Sequence, residues 1–506
     1  MAYAITQSCC ADASCVSACP VNCIHPTPDE PDFGTTDMLH IDPVACIDCG
    51  ACADACPVDA AQPADQLSGP LAAYVDRNRQ YFEDAARDGD HAPGQVLPQA
   101  PPRVPRSLPT FARALRIAVV GTGPSAGYTV RALLRCTDAE ITLIDRHSVP
   151  GGLVRYGVAP DHPATKRIGD SFARTFRHPR VSMHLGVSVG RDISHEDILN
   201  HHHAVVYATG ADSPRALGIP GEDLPGSIAA TGFLGWCNGL PGTAAPAAGL
   251  DAGSAGQAGR AVVVGNGNVA LDVARLLLSR PDRLAAAGIA ASALAALRNS
   301  KISEVVLLGR RGPADAAFAP KEFLGLRQLP DVRIVVDGDP GVAGEIATAS
   351  RRSAAALLRE IPVEDVDWTA SPAASPRLVL RFHSAPLEAR GDGRVQAVRV
   401  SDRNTGRHEI PAGLLIRSIG SRGVPIPGLP FDTDTGVIPN VAGRVRPGSY
   451  VAGWAKRGSV GGIGANRACA AETVDALLDD AAAGRLPRPG GGARAFARLL
   501  RGSSRG

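Results

Sequence analysis

Twice in this chain an apolar strand runs into a glycine-rich turn that opens a helix, and no other feature restricts the fold as much. The first instance, RIAVVGTGPSAGYTVRALLRC, begins at Arg116 and leads to the strand EITLIDR; the second, RAVVVGNGNVALDVARLLL, begins at Arg260 and leads to SEVVLLGRR. A lone G-x-G-x-x-G is weak evidence, but a strand before it and a helix after it supply the context in which each position has work to do. One glycine makes the tight turn, the next lets backbone approach a pyrophosphate, and the third small residue lets helix and strand pack. Gly121, Gly123 and Ala126 fill these places in the first unit, and Gly265, Gly267 and Ala270 in the second. Each helix N-terminus adds partial positive charge. Two such units predict an α/β chain with two nucleotide sites. At ~150 residues per domain, the 506 residues leave room for a third domain.

The strand ends separate the two nucleotides. Asp145 closes the strand after the first unit; its carboxylate accepts from ribose hydroxyls and repels a 2′-phosphate, which suits FAD or NAD. The second unit ends in Gly309-Arg310-Arg311, where two guanidiniums stand in place of the acid and can grip a 2′-phosphate bidentately. That site is expected to take NADP(H). A solvated surface turn is the plainer explanation of an Arg-Arg pair, but its place at this strand end favours the phosphate. An extra segment at 281–300 accounts for the unusual length between Gly265 and Arg310.

Cysteine is distributed as unevenly as glycine. Nine of the 12 cysteines lie at or before Cys56, and residues 1–60 carry nine acids and no Lys or Arg, a formal −9 against +11 for the remainder. Cys46, Cys49, Cys52 and Cys56-Pro57 spell C-x2-C-x2-C-x3-C-P, in which three close thiolates wrap a cubane and the fourth serves a different cluster. Zinc favours paired knuckles, and disulfides suit an oxidising compartment. CVSACPV at 15–21 overlays CADACPV at 52–58 with an offset of 37, sending Cys46 to Cys9, Cys52 to Cys15 and Cys56 to Cys19, while Cys49 falls on Asp12. Exchange of the two Cys-Pro cysteines gives one set of Cys19, Cys46, Cys49 and Cys52, and another of Cys9, Cys15 and Cys56. A hard carboxylate is a poor partner for iron beside three soft thiolates. The expectation is therefore one [4Fe-4S] and one [3Fe-4S] cluster, with Asp12 holding a labile fourth iron, and so a second [4Fe-4S], as the alternative. Cys10 in place of Cys9 also stays open, and Cys23 is read as buried beside a cluster.

Residues 3–60 resemble the bacterial seven-iron ferredoxins. Farther along, PGGLVRYGVAPDHP at 150–163, GNGNVALDVAR at 265–275, GRRGPADAAFAPKE at 309–322 and GWAKRGSVGGIG at 453–464 resemble, in order, the adrenodoxin reductase family. That likeness covers about residues 115–480. It implies two Rossmann-like dinucleotide-binding domains of glutathione-reductase type, here preceded by a small α+β ferredoxin domain. The divisions expected are 1–62 for the ferredoxin domain, 63–112 for a Pro-rich linker with a short helix around 71–87, 113–212 with 416–506 for the FAD domain, and 213–415 for the NADP domain. The resemblance further implies that Gly121, Gly123, Pro124, Ala126, Asp145, Gly152, Leu153, Trp454, Gly461 and Ile463 hold FAD. It places NADPH on Asn268, Val269, Arg310, Arg311 and Glu322, beside Gly265 and Gly267. His162 and Asp272 match residues that flank the flavin, where a histidine paired with a carboxylate manages a proton. Their plainer roles would be a loop-ordering histidine and a helix-dipole carboxylate; that of Trp454 would be packing.

The function these readings imply is an NADPH-dependent ferredoxin reductase, of the ferredoxin NADP+ reductase class, that carries its own ferredoxin. Its acceptor would be a soluble ferredoxin or a cytochrome P-450-like protein. The alternative is a flavin and iron–sulphur subunit that reduces an organic substrate. With 52 Lys+Arg against 50 Asp+Glu and no long basic block, a nucleic-acid partner is not expected. No apolar run nears the ~18 residues of a membrane span, and MAYAITQSCC lacks signal-peptide character, so a soluble, cytoplasmic monomer is expected. The acidic head would dock on a basic face, for which Lys456 and Arg457 are candidates. His201, His202 and His203 read as a solvated helix end.

Overall fold

The computed structural model describes residues 2–34, 36–87, 115–250, 259–338, 340–350, 353–372, 375–401 and 406–503. The Pro-rich stretch 97–109, residues 251–258 of an Ala/Gly/Ser-rich insertion and the end of the RGSSRG tail lie outside them. The chain divides into two units, one formed by Met1–Arg155, Ala164–Ser213 and Ser421–Gly506, the other by Tyr156–Pro163 and Pro214–Gly420.

The first unit contains a six-stranded sheet in the order Arg444–Arg446, Ser449–Val451, Ala204–Tyr207, Arg116–Val120, Glu140–Asp145, Val181–Leu185. Every neighbouring pair is parallel except the first. Ile117, Ala118 and Val119 are completely buried, as expected of a central parallel strand covered on both faces. That strand delivers the chain to Gly121 and the helix Pro124–Cys136, whose proline stands in the first turn where no N–H is needed. The long helix Ala465–Ala482 lies against it, tied by Ser125 Oγ to Asn466 Oδ1 at 2.7 Å.

In the same unit, the residues up to Arg87 carry strand pairs and short helices of their own. Tyr3–Ile5 pairs antiparallel with Ala61–Pro63, and Ile24–His25 with His40–Ile41. The sequence repeat is visible in the backbone. The short helices Ser14–Ala18 and Ala51–Ala55 follow left-handed residues Ala13 and Gly50, and further left-handed pairs fall at Ala11 with Asp48 and at Asn22 with Asp59. The helix Ala73–Arg87, expected as an interruption of the linker, packs on these strands instead. Buried Asn78 accepts from Ile5 N at 3.1 Å and Ile41 N at 2.8 Å, and donates to the Ile5 and Tyr74 carbonyls. One side chain thus satisfies backbone groups of two different strands.

The second unit is built on a seven-stranded sheet in the order Ser227–Ala229, Leu414–Arg417, Arg260–Val264, Glu304–Leu308, Arg377–Arg381, Arg333–Asp337, Val363–Glu364, parallel throughout. A three-stranded antiparallel sheet, Pro386–Arg390, Ala397–Ser401 and Arg407–Pro411, accompanies it. The extra length after Gly265 is taken up by helices Pro281–Ala286 and Ala291–Asn299. No described helix is long and apolar enough to cross a membrane.

Candidate redox centres and nucleotide sites

The head encloses two chambers of similar size, about 280 and 260 Å³ including their mouths. Cys19, Cys46, Cys49 and Cys52 line the first, with Cys23; Cys9, Cys15 and Cys56 line the second, with Cys10 and Asp12. Each chamber takes its Cys-Pro cysteine from the other half of the repeat. Backbone N–H groups point at the sulphurs: Ala11 and Leu39 at Cys9, Cys23 at Cys19, and Ala60 at Cys56, at 3.2–3.5 Å. Such donors tune the potential of thiolate-held iron. Cys23 Sγ stands 3.5 Å from Cys19 Sγ; its hydrogen bonds pull Cys19 and Cys46 down to about 6, while its own thiol is pushed up. Burial raises Cys52 to about 11 and holds Cys10 and Cys15 well above the ordinary thiol value. Thiols this crowded ionise together when a cation compensates them, so the donor set fits iron–sulphur clusters.

At the place the repeat assigns to Cys49, the Asp12 carboxylate accepts from Ser14 N at 3.1 Å and Ser14 Oγ at 2.6 Å. Both of its oxygens are thereby engaged locally.

The first glycine loop has the shape of a dinucleotide cradle. Gly121 is left-handed, and a Cβ there would overlap the Ala208 carbonyl; one on Gly152 would come within 2.8 Å of Gly123 Cα. Asp145 is buried and accepts from Thr122 Oγ1 at 2.5 Å and His147 N at 2.8 Å, and Thr122 Oγ1 accepts in turn from Gly151 N. This acid therefore braces the loop as well as closing the strand. Gly123 caps the helix that Pro124 opens and that buries Ala126, and Leu153 is partly exposed beside Gly152. Toward the end of the chain, Trp454 Nε1 donates to the Gly461 and Val460 carbonyls at 3.1 and 3.2 Å, fixing the loop that leads to Ile463.

The second loop repeats the pattern within its own unit. Gly265 is left-handed against the Ser418 carbonyl, and Gly267 caps the helix Asn268–Leu278. Asn268 Oδ1 accepts from Ala319 N at 2.6 Å, and Val269 is exposed. Arg310 and Arg311 are exposed at the end of the strand Glu304–Leu308, with Arg311 also 3.0 Å from Asp315.

The same unit gathers an ionic cluster. His162 Nε2 lies 3.1 Å from Asp272 Oδ1 and 3.4 Å from Glu322 Oε2. Arg275, which is buried, reaches Asp272 at 2.6 Å and grips Asp161 through two bonds of 2.6 and 3.0 Å. Its Nη2 is also 2.7 Å from His162 Nε2. Three carboxylates thus face one guanidinium, and the surplus negative charge favours imidazolium. Burial and the Arg275 guanidinium oppose that charge, but the bonds to Asp272 and Glu322 outweigh them and raise His162 to about 9, while Glu322, though buried, is drawn down to about 2 by His162. His162, Asp272 and Glu322 have the spacing of a metal site, but Arg275 already supplies the cation.

Residues 8–60 match the family model described as a 4Fe-4S dicluster domain. Over 97% of this chain and 85% of the relative, the sequence is 43% identical to a "Probable ferredoxin/ferredoxin--NADP reductase" of Mycobacterium tuberculosis. The chain belongs to the adrenodoxin-reductase-type ferredoxin–NADP reductases. The "NADPH:adrenodoxin oxidoreductase, mitochondrial" of Mus musculus is 40% identical over 74% of this chain and 81% of its own. The solved structure of Mycobacterium tuberculosis FprA in complex with NADPH is 39% identical, covers 78% of this chain and 91% of its own, and superposes with a TM-score of 0.69.

This ferredoxin–NADP reductase is an oxidoreductase with a fused iron–sulphur domain. Sequence reasoning brought His162 to Asp272 but missed Glu322 as its second carboxylate and missed Arg275 and Asp161 entirely. Arg275 follows Asp272 by three residues on one helix, a spacing that puts both on one face; nothing local announces Asp161. In the reductase, Lys456 is paired with Glu472, and Arg457 with the Val460 carbonyl and Asn466. The head is met instead by Arg467 and Arg167, which bind the Asp12 carbonyl and the Asp59 carboxylate. The histidine run is not a solvated helix end: His202 is buried against Ile198 O and Thr142 Oγ1, and burial lowers it to about 4.

Proposed function

We propose that this reductase passes electrons from NADPH through FAD and the iron–sulphur centres of its own head to a soluble one-electron carrier of the ferredoxin or cytochrome P-450 type. The observation that carries this reading is the coexistence, in one chain, of two glycine cradles and two thiol-lined chambers. A flavin supplies the conversion from hydride to single electrons that iron centres require. In this reading Gly121, Gly123, Pro124, Ala126, Asp145, Gly152, Leu153, Trp454, Gly461 and Ile463 hold FAD. Gly265, Gly267, Asn268 and Val269 hold the NADPH pyrophosphate end, with Arg310 and Arg311 on its 2′-phosphate. His162 holds a proton that Asp272 and Glu322 favour and the neighbouring Arg275 guanidinium opposes.

The centre held by Cys19, Cys46, Cys49 and Cys52 is assigned as [4Fe-4S], and that held by Cys9, Cys15 and Cys56 as [3Fe-4S]. The engagement of Asp12 with Ser14 supports the empty corner. Cys10, which lines the same chamber, favours a second [4Fe-4S] as the alternative. Low-temperature EPR of the anaerobically reconstituted protein decides between them. A three-iron signal is expected in the oxidised state, Cys49→Ser should abolish only the four-iron signal, and Cys10→Ser should leave the three-iron signal unchanged. Absence of that signal, with its appearance in the Cys10 variant, would make Cys10 the fourth ligand. For the coenzyme, replacing both Arg310 and Arg311 by Ala should cut the preference for NADPH over NADH by about tenfold or more, the weight of a charge-assisted bidentate contact. A colourless protein, or an unchanged preference, would end the reading.

A further inference from the structure

The hydrogen bonds between the head and the glycine-loop body of the first unit gather around Cys9 and Cys56. Gly464 N donates to the Cys10 carbonyl at 2.8 Å, Arg467 Nη1 to the Asp12 carbonyl at 2.6 Å, and Thr165 Oγ1 to the Ser8 carbonyl at 3.3 Å. Arg167 meets Asp59, three residues beyond Cys56. Ser8, Cys10 and Asp12 bracket Cys9, so these bonds seat the Cys9/Cys15/Cys56 chamber against the body. A Cβ added to Gly461 would come within 3.5 Å of the Gly34 carbonyl, so another loop of the head covers the segment that Trp454 braces.

Gly464 shows that this seat is built for close approach. Its backbone is ordinary right-handed helix, φ −65° and ψ −35°, open to any residue, yet a Cβ there would overlap the Ala11 carbonyl. Glycine is therefore required by the neighbour rather than by the turn. Arg467 stands in the first turn of an 18-residue helix, where the dipole disfavours a cation, and its bond to Asp12 gives it a tertiary reason to be there. Tyr128, on the helix after the first glycine loop, is buried, and burial followed by the neighbouring Cys10 and Asp12 pushes its hydroxyl well up.

The other chamber reaches solvent at one corner: Cys49 is exposed, and Val44 and Ile47 beside it are 69% and 58% exposed, while Cys19 and Cys52 are buried. In the seated chamber Cys9, Cys10 and Cys15 are buried and Cys56 is half-buried.

We infer that Gly464 and Arg467 lock the head in a fixed pose that makes the Cys9/Cys15/Cys56 chamber the electron inlet and the Cys19/Cys46/Cys49/Cys52 chamber the outlet. The inference rests on the reductase reading above. Oxidation of NADPH to NADP+ and a proton releases two electrons. They leave NADPH as a hydride and cross the inlet one at a time, the proton returns to solvent, and no atom passes to the iron centres. Because tunnelling falls exponentially with distance, the seated chamber is filled before the remote one.

The test is rapid mixing of the loaded full-length protein with NADPH, followed by freeze-quench EPR, with Cys49→Ser used to assign the outlet signal. The inlet signal is expected to change first. In Gly464→Val and in Arg467→Glu, reduction of both centres should slow at least tenfold, while flavin content and NADPH-driven ferricyanide reduction remain within twofold of the parent. Outlet reduction that leads, or cluster reduction at the parent rate in both variants, would overturn the inference. Loss of ferricyanide reduction in the loaded parent protein would instead defeat the reductase reading itself.

Discussion

His162 is a residue whose charge is set by company rather than by exposure. Its pKa is raised from the ordinary 6.5 to about 9 because the pull of Asp272 and Glu322 exceeds the cost of burial. A histidine with a raised folded-state pKa contributes stability that is fully present below about 6.5 and lost as pH rises through about 9. Calorimetry of the parent protein from pH 6 to pH 10 should show that loss, on the order of 3 kcal/mol, and His162→Gln should flatten the profile over this window. An unchanged profile in the variant would mean that the imidazole is neutral in the fold. Much at this scale was legible. The thiols that line each chamber, and the turn glycines of both loops, follow from spacing, because ligand geometry and tight turns demand fixed residue types at fixed offsets. Arg275 and Asp161 were not, because their bond joins positions 114 apart in the chain and no periodicity encodes it. The Asp12–Ser14 engagement is a local turn that sequence left open between ligand and bystander.

Among the elements, the helix Ala73–Arg87 departs furthest from expectation. Its proline-rich surroundings place it in a linker, but Asn78 makes four buried bonds, three of which join it to both strand pairs of the head. Removing that amide leaves the Ile5 and Ile41 N–H groups unsatisfied, and each such orphan costs about 1–3 kcal/mol. Asn78→Ala should therefore lower the temperature at which the iron–sulphur absorbance bleaches, while the flavin absorbance persists to its parent temperature. Simultaneous loss of both would show that head and body melt together. The repeat, by contrast, was readable at element scale, since left-handed residues recur at the same offset as the cysteines. Short helices need such turns before them, and the chain builds the same turn twice.

At the scale of the whole molecule, composition gives an acidic head and a basic body, for which charge attraction is the simplest way to join. The structure uses charge sparingly. Gly464 and Thr165 bond to carbonyls, Arg467 also reaches a carbonyl, and the Arg167–Asp59 pair is exposed. Exposed pairs are screened by salt and contribute little. Reduction of the clusters by NADPH should thus change by less than about twofold between ~0.05 and ~0.5 M salt, as followed by stopped-flow absorbance; a steep decline would restore the electrostatic view. Sequence could not reveal this because backbone carbonyls carry no residue signature.

The snug seat around Gly464 also alters how the protein competes for its own ferredoxin. Joined to the body by one polypeptide, the head meets it at an effective concentration on the order of millimolar rather than at the concentration of the cell. A separate ferredoxin of equal affinity would need comparable abundance to displace it. Fusion therefore turns a shared diffusible carrier into a private one, and on the inlet reading leaves traffic with other proteins to the chamber that holds Cys49.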